Sequence, residues 1–209
     1  MTLNPLLTLR AIQDSGMHDA DWAAAARILG PDLDAPISLG DVAITSGAED
    51  AIRCLRKLDW TDVAIRRAVI GAVILPACRH AQVHTTDPRV AACNDALARW
   101  CAGDDAVDLR GAATGAACAA TYAADAIAVA RAARAAYAAH AAHHAAHAAL
   151  STYTYPANGF VHASFASYAT DAAALAAGFS AADPTERQRQ RADIIAAFPP
   201  VRLARKESE

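Results

Sequence analysis

Twenty-three of the forty residues from Gly111 to Leu150 are alanine, and alanine fills 59 of the 209 positions of the chain. No other feature restricts the fold as strongly. Alanine loses no side-chain entropy in a helix and has the highest helix propensity of any residue. The Ala-rich region reads as helix from about Asp104 or Asp105 to Leu150 with few breaks, Gly111 and Gly115 being its weak points. Uninterrupted, about 45 residues at 1.5 Å each would make a rod nearly 70 Å long. Small side chains also let neighbouring helices approach to about 8 Å. The expected architecture is therefore all-α: a multi-helix bundle gripping a long Ala-rich central helix.

The rest of the chain carries local helix punctuation. Pro5 opens a helix to about Ile12, broken at Ser15-Gly16. Asp19 caps Ala20 to Leu29, with Trp22, Ala26 and Leu29 inward, and Gly30-Pro31 stops it. Ser38-Leu-Gly-Asp41 reads as a capping box before a short helix ending at Ser46-Gly47. From Ala48 to Leu58, Ile52, Leu55 and Leu58 share one face while Arg53, Arg56 and Lys57 share another. Thr61 or Asp62 caps a helix toward Val83, inside which Pro76 predicts a kink or a split. Asp87-Pro88 is an N-cap followed by proline at the first helical position, opening a helix that faces Val90, Cys93, Leu97 and Trp100 or Cys101 inward. Ser151 to Gly159 reads as a loop, Val161 to Ala177 as a helix, and Asp183-Pro184 as the cap of a last helix to Phe198. The domain reading is short acidic helices over 1–46, the main bundle over 47–200 and a flexible tail over 201–209.

Charge and cysteine content exclude several classes. The net charge of −3 and a pI near 6.2 leave no basic footprint for nucleic acid. No window is apolar enough for a membrane span, and Met1 to Gly16 lacks the pattern of a signal peptide, so a cytoplasmic protein is expected. Cys54, Cys78, Cys93, Cys101 and Cys118 are odd in number and form no CxxC pair, which reads as reduced core thiols. Phosphate-loop, dinucleotide and nucleophile-elbow motifs are absent, so no cofactor is indicated.

Three clusters invite a chemical reading. His140, His143, His144 and His147 fall within about 100° of one helix face, and their i,i+4 spacing is one at which two imidazoles share a metal ion such as zinc. No HExxH glutamate accompanies them; the bland alternative is a polar face that happens to use histidine. On one continuous helix the same stripe would also include Thr114, Cys118, Tyr122, Asp125 and Val129. The acids Asp14, Asp19, Asp21, Asp32, Asp34, Asp41, Glu49 and Asp50 sit in a stretch with ten acidic and five basic residues up to Asp62. They form a candidate surface for steering a basic partner, against capping and solvation as the alternative. Glu186 to Arg191 alternates basic and amide residues and reads as a solvated face. Cys78 with His80, or Cys118 with a distant histidine, lacks the local context of a nucleophile and its base.

The stretch Ser46-Gly-Ala-Glu-Asp-Ala-Ile-Arg-Cys-Leu-Arg56 resembles the G-x-x-D-A-x-x-C-L-R segment of the alanine-rich immunity proteins of bacteria and phages. Asp87-Pro88-Arg89, a helix closing at Trp100 and Gly103, and the Ala-rich run follow in the family's order, so the likeness covers about residues 38–150. Arg53 stands where that family commonly has tryptophan. The resemblance implies an all-helical cytoplasmic protein that neutralises a partner, with no catalytic residues to transfer.

The functional expectation is thus a non-enzymatic immunity or counter-defence protein. Its partner would be a toxin or a component of a defence system, as for a phage-encoded anti-CRISPR inhibitor. The competing readings are a metal- or small-ligand-binding protein using His140 to His147, and a homo-oligomeric scaffold built on Ala-on-Ala packing.

Overall fold

The computed structural model describes residues 6–13, 26–30, 32–60, 62–124, 129–150, 168, 169, 172 and 184–203. In chain order these form β1 (Leu6–Thr8), α1 (Leu9–Gln13), β2 (Pro36–Ser38), α2 (Leu39–Ser46) and α3 (Ala48–Cys54). A 3-10 turn (Leu55–Lys57) follows, then α4 (Val63–Val69), a π-helical segment (Ile70–Ile74) and α5 (Leu75–Gln82). The remaining helices are α6 (Pro88–Cys101), α7 (Leu109–Ala124), α8 (Val129–Leu150) and α9 (Pro184–Ala197). Among the described residues the protein is all-α apart from one small two-stranded sheet. Trp22, the loop over 151–159, most of the helix over 161–177, Asp183 and the tail over 204–209 lie outside the described residues.

The chain divides into two units, 1–59 with 187–209, and 60–186. The expected boundary at 46/47 therefore falls instead at Asp59/Trp60, and the C-terminal helix returns to the N-terminal unit. This has an electrostatic consequence. The acidic N-terminal third folds with the arginine-rich C-terminal segment, giving that unit 12 acidic and 11 basic residues, and the other unit 10 and 8. The charge asymmetry along the sequence is absent from the folded units.

In the first unit, Leu6–Thr8 pairs antiparallel with Pro36–Ser38, setting Leu7 opposite Ile37, both buried. The helix expected from Pro5 thus begins only at Leu9. Alternating burial against a partner strand outweighs local helix preference there. Ser38 and Asp41 close a true capping box, and Gly47, at φ +95°, turns the chain from α2 into α3. Ile52, Leu55 and Leu58 are buried as their spacing predicts. Gly40 is where α2 meets the C-terminal segment: a Cβ there would strike the Phe198 carbonyl. Arg191 donates from Nε to the Ala43 carbonyl at 2.8 Å and from Nη2 to Ile44 at 3.0 Å, capping the end of α2.

The second unit is built around α8. Asp62 caps α4, accepting from the Ala64 and Ile65 amides. The helix then continues through the π segment into α5 without a break. Pro76 is the second residue after that segment. Rewinding to i→i+5 bonds accommodates the missing N–H and the ring, so proline reshapes the helix locally rather than splitting it. Asp87 caps α6 as expected, with Val90, Cys93, Leu97 and Trp100 buried.

The Ala-rich run does not form one rod. It folds back: the His143 ring meets the Ala113 carbonyl, and Arg110 lies near His147, so α7 and α8 run antiparallel. Alpha8 packs against α7, α5, α6 and the π segment. Ala138, Ala139, Ala141, Ala142, Ala145, Ala146, Ala148 and Ala149 are each at most 3% exposed. Over residues 137–150, where its burial is described, the helix is enclosed by its neighbours and can use only its smallest side chains against them. The single stripe running from Thr114 to Leu150 is correspondingly divided between two helices; Asp125 lies outside the described residues and nothing is described of the Tyr122 side chain.

Candidate functional site

Alanine occupies the buried positions of α8, and histidine occupies its less buried ones. His140 is exposed and His143, His144 and His147 are half-buried. The four rings form one connected row. His140 and His144 stack with centroids 5.9 Å apart and planes 18° apart. His143 and His147 meet at 4.5 Å with planes crossing at 70°. His143 and His144 lie 5.3 Å apart, and Tyr168 packs on His144 at 5.6 Å.

The row has two sides. His140 and His144 stack on the outer side, with Tyr168 tilted against His144 by 51°. His143 and His147 face α7: the His143 Nδ1 lies 3.0 Å from the Ala113 carbonyl. A carbonyl only accepts, so Nδ1 carries the proton, and in the neutral ring Nε2 carries the lone pair.

Burial and mutual repulsion favour the neutral form of His140, His144 and His147. Burial is the main cause of lowering His144 to about 4, with His143, His140 and His147 adding to it. His140 is lowered by burial and then by His143. His147 is lowered by burial, then by His143 and Arg110.

The expected four-histidine metal set is not assembled. Among the described residues no three His, Cys, Asp or Glu side chains are grouped to hold a metal ion. The reason is helical rise: His140 and His147 are seven residues apart, about 10 Å along the axis. One ion with ligand bonds of about 2 Å cannot reach both ends.

The acidic surface is also redistributed. Asp14, Asp19 and Asp21 lie outside the described residues. Asp34 is held bidentate by Arg10 at 2.8 and 2.9 Å. Glu49 takes Arg53 Nη2 at 2.6 Å, and the buried Asp50 takes its Nη1 at 3.3 Å. Asp32 accepts the Asp34 amide in a turn. The described acids thus serve contacts within their own unit. The same holds for the basic segment of α9: Arg187 donates to Gln190, Arg189 pairs with Asp193 at 2.7 Å, and Arg191 caps α2.

Asp41 is the residue whose role the sequence only half shows. Its carboxylate is fully buried. One oxygen accepts from the Ser38 amide at 2.9 Å and hydroxyl at 3.1 Å, and from the Val201 and Arg202 amides at 3.0 and 3.2 Å. The other accepts the Leu203 amide at 3.1 Å. Burial pushes its pKa up, but the four amides outweigh it and hold the group below the ordinary carboxylate value. The start of the supposed flexible tail is therefore pinned at 201–203. The capping-box pattern predicted its bond to Ser38, the steering surface expected it exposed, and the distant amides left no signal.

Burial makes two of the thiols, Cys93 and Cys101, poor nucleophiles. Burial pushes Cys93 to about 12, and its Sγ donates to the Ala142 carbonyl. Burial likewise raises Cys101 to about 11. Cys78 is buried, whereas His80 two residues on is exposed. Two hollows open on the second unit, about 360 Å³ beside Arg79, Gln82, Val83 and Asp95, and about 210 Å³ beside Trp100 and Asp105. Neither is lined by a described histidine or cysteine.

No protein-family model, curated protein or solved structure matches the chain. The segment that resembles the immunity proteins is an internal packing unit: Asp50, Ala51, Cys54 and Leu55 are buried, and Glu49 is exposed. Among the described residues no helix is long and apolar enough to cross a membrane.

Proposed function

We propose that the chain is a non-enzymatic binding factor of the immunity or counter-defence kind, which neutralises another protein by contact. One observation carries this reading: the stacked rings of His140 and His144, with Tyr168 tilted against His144, on the histidine face of α8. Interface cores are enriched in aromatic rings and depleted of charge. Burial keeps His144 and His140 neutral at physiological pH. The close-packed alanines beneath hold the helix in place, which lowers the ordering cost of binding. The paired acids of the first unit play a lesser part here than the sequence suggested.

The experiment is affinity capture from both producing and target strains, followed by measurement of complex mass. A single stoichiometric partner is expected. It should be lost with His144→Glu, which puts a charge into the stack, and retained with Glu49→Gln. A chain that emerges alone from both strains, or a complex indifferent to His144→Glu, overturns the proposal.

A further inference from the structure

His143 and His147 differ from the other two histidines in geometry. They lie one turn apart on the side of α8 that faces α7. Their ring centroids are 4.5 Å apart, with planes crossing at 70°. Two imidazoles bound to one tetrahedral ion through nitrogens at about 2.0–2.1 Å have centroids roughly 5 Å apart. The ring separation of the pair is therefore close to that of a chelating pair before any ion arrives. His140 and His144 instead lie nearly parallel, with centroids farther apart at 5.9 Å.

A second observation points the same way. Metal-bound histidines characteristically donate their other ring N–H to a carbonyl or carboxylate, which fixes tautomer and ring direction. His143 has such a bond, from Nδ1 to the Ala113 carbonyl at 3.0 Å. In the neutral ring this presents Nε2 as the donor atom for a metal. The bond also ties the ligand to α7, so an ion held by this ring braces the alanine hairpin.

We infer that His143 and His147 form a two-imidazole site for a borderline divalent ion such as Zn²⁺, with water completing its coordination. Imidazole nitrogen suits Zn²⁺, Ni²⁺ and Cu²⁺ and discriminates against Mg²⁺ and Ca²⁺, which take oxygen. Burial already favours neutral His147, and a neutral ring is the form that ligates. Arg110, whose charge acts on His147, also opposes an incoming cation. The inference is independent of the protein-binding proposal, which rests on His140, His144 and Tyr168.

The test is calorimetric titration of tag-free protein with zinc chloride, alongside thermal melting with and without the ion. Saturable binding of one ion per chain is expected, with a rise in melting temperature, since a ligand of the native state stabilises it. His143→Gln and His147→Gln should each weaken binding by about tenfold or more and remove the thermal shift. His140→Gln should change affinity by less than about twofold, because that ring lies outside the pair. Arg110→Gln should tighten binding. Helical circular dichroism of each variant separates ligand loss from unfolding. Three outcomes overturn the site: non-saturating uptake of zinc, equal losses with His140→Gln, or a thermal shift that survives both pair variants.

Discussion

Replacing Asp41 with asparagine preserves shape and removes charge, which isolates what the carboxylate contributes. One oxygen takes four donors and the other takes the Leu203 amide. The best placement for asparagine puts its single carbonyl oxygen where four donors converge. Its NH₂ group then faces the Leu203 N–H, donor against donor. Orphaning one buried amide costs about 1–3 kcal/mol, and hydrogen bonds to a charged group exceed neutral ones by about 1 kcal/mol. The loss of charge acts on a shared oxygen and is not additive over its four bonds, so the total is about 2–4 kcal/mol. This is a large fraction of the roughly 5–15 kcal/mol that stabilises a typical domain. The assay is urea unfolding followed by circular dichroism, with hydrogen exchange at Val201, Arg202 and Leu203 reporting the local clasp. Asp41 has a native pKa below its unfolded value. Its contribution is therefore complete above the unfolded pKa of about 3.9 and is lost as pH falls through the native value. The gap between wild type and Asp41→Asn should be constant near neutrality and narrow below about pH 4. A variant within about 0.5 kcal/mol of wild type at pH 7, or unchanged exchange at 201–203, would refute the clasp.

Other outcomes follow from the packing. Ala139→Leu adds bulk at a position 1% exposed and should cost about 1–3 kcal/mol, visible as a lower melting temperature; an unchanged melt would mean that α8 is not closely gripped. Gly40→Ala should destabilise the first unit by a similar amount, about 1–3 kcal/mol in urea unfolding, because the new Cβ meets the Phe198 backbone rather than a side chain that can move. Under native conditions a thiol reagent should label the exposed Cys118 fast, and Cys93 and Cys101 only after unfolding. Rapid labelling of Cys93 would contradict its burial beneath α8.

Local signals were legible because their chemistry closes within a few residues. Ser38 with Asp41, Asp62 and Asp87-Pro88 each cap a helix through an amide two or three positions away. Gly30, Gly47 and Gly103, all at positive φ, stand where the sequence predicts helix ends. The histidine strip was legible in part. Periodicity put the four rings on one face, but it could not divide them into a stacked pair beside Tyr168 and a pair toward α7. That division depends on which neighbour each ring meets.

By itself the sequence determined helices and their ends, since propensity and capping act within one turn. It also determined which positions of α8 could accept close neighbours, since only alanine is small enough. Tertiary structure decided what lies far apart along the chain: the fold-back of the alanine run, the return of α9 to the first unit, and the amides of 201–203 on Asp41. The physical reason lies in alanine itself. A methyl group favours helix but carries no hydrogen bond, charge or distinctive shape to specify a partner. Where the hairpin turns, and which strip is left to histidine, are therefore set by the whole packed core.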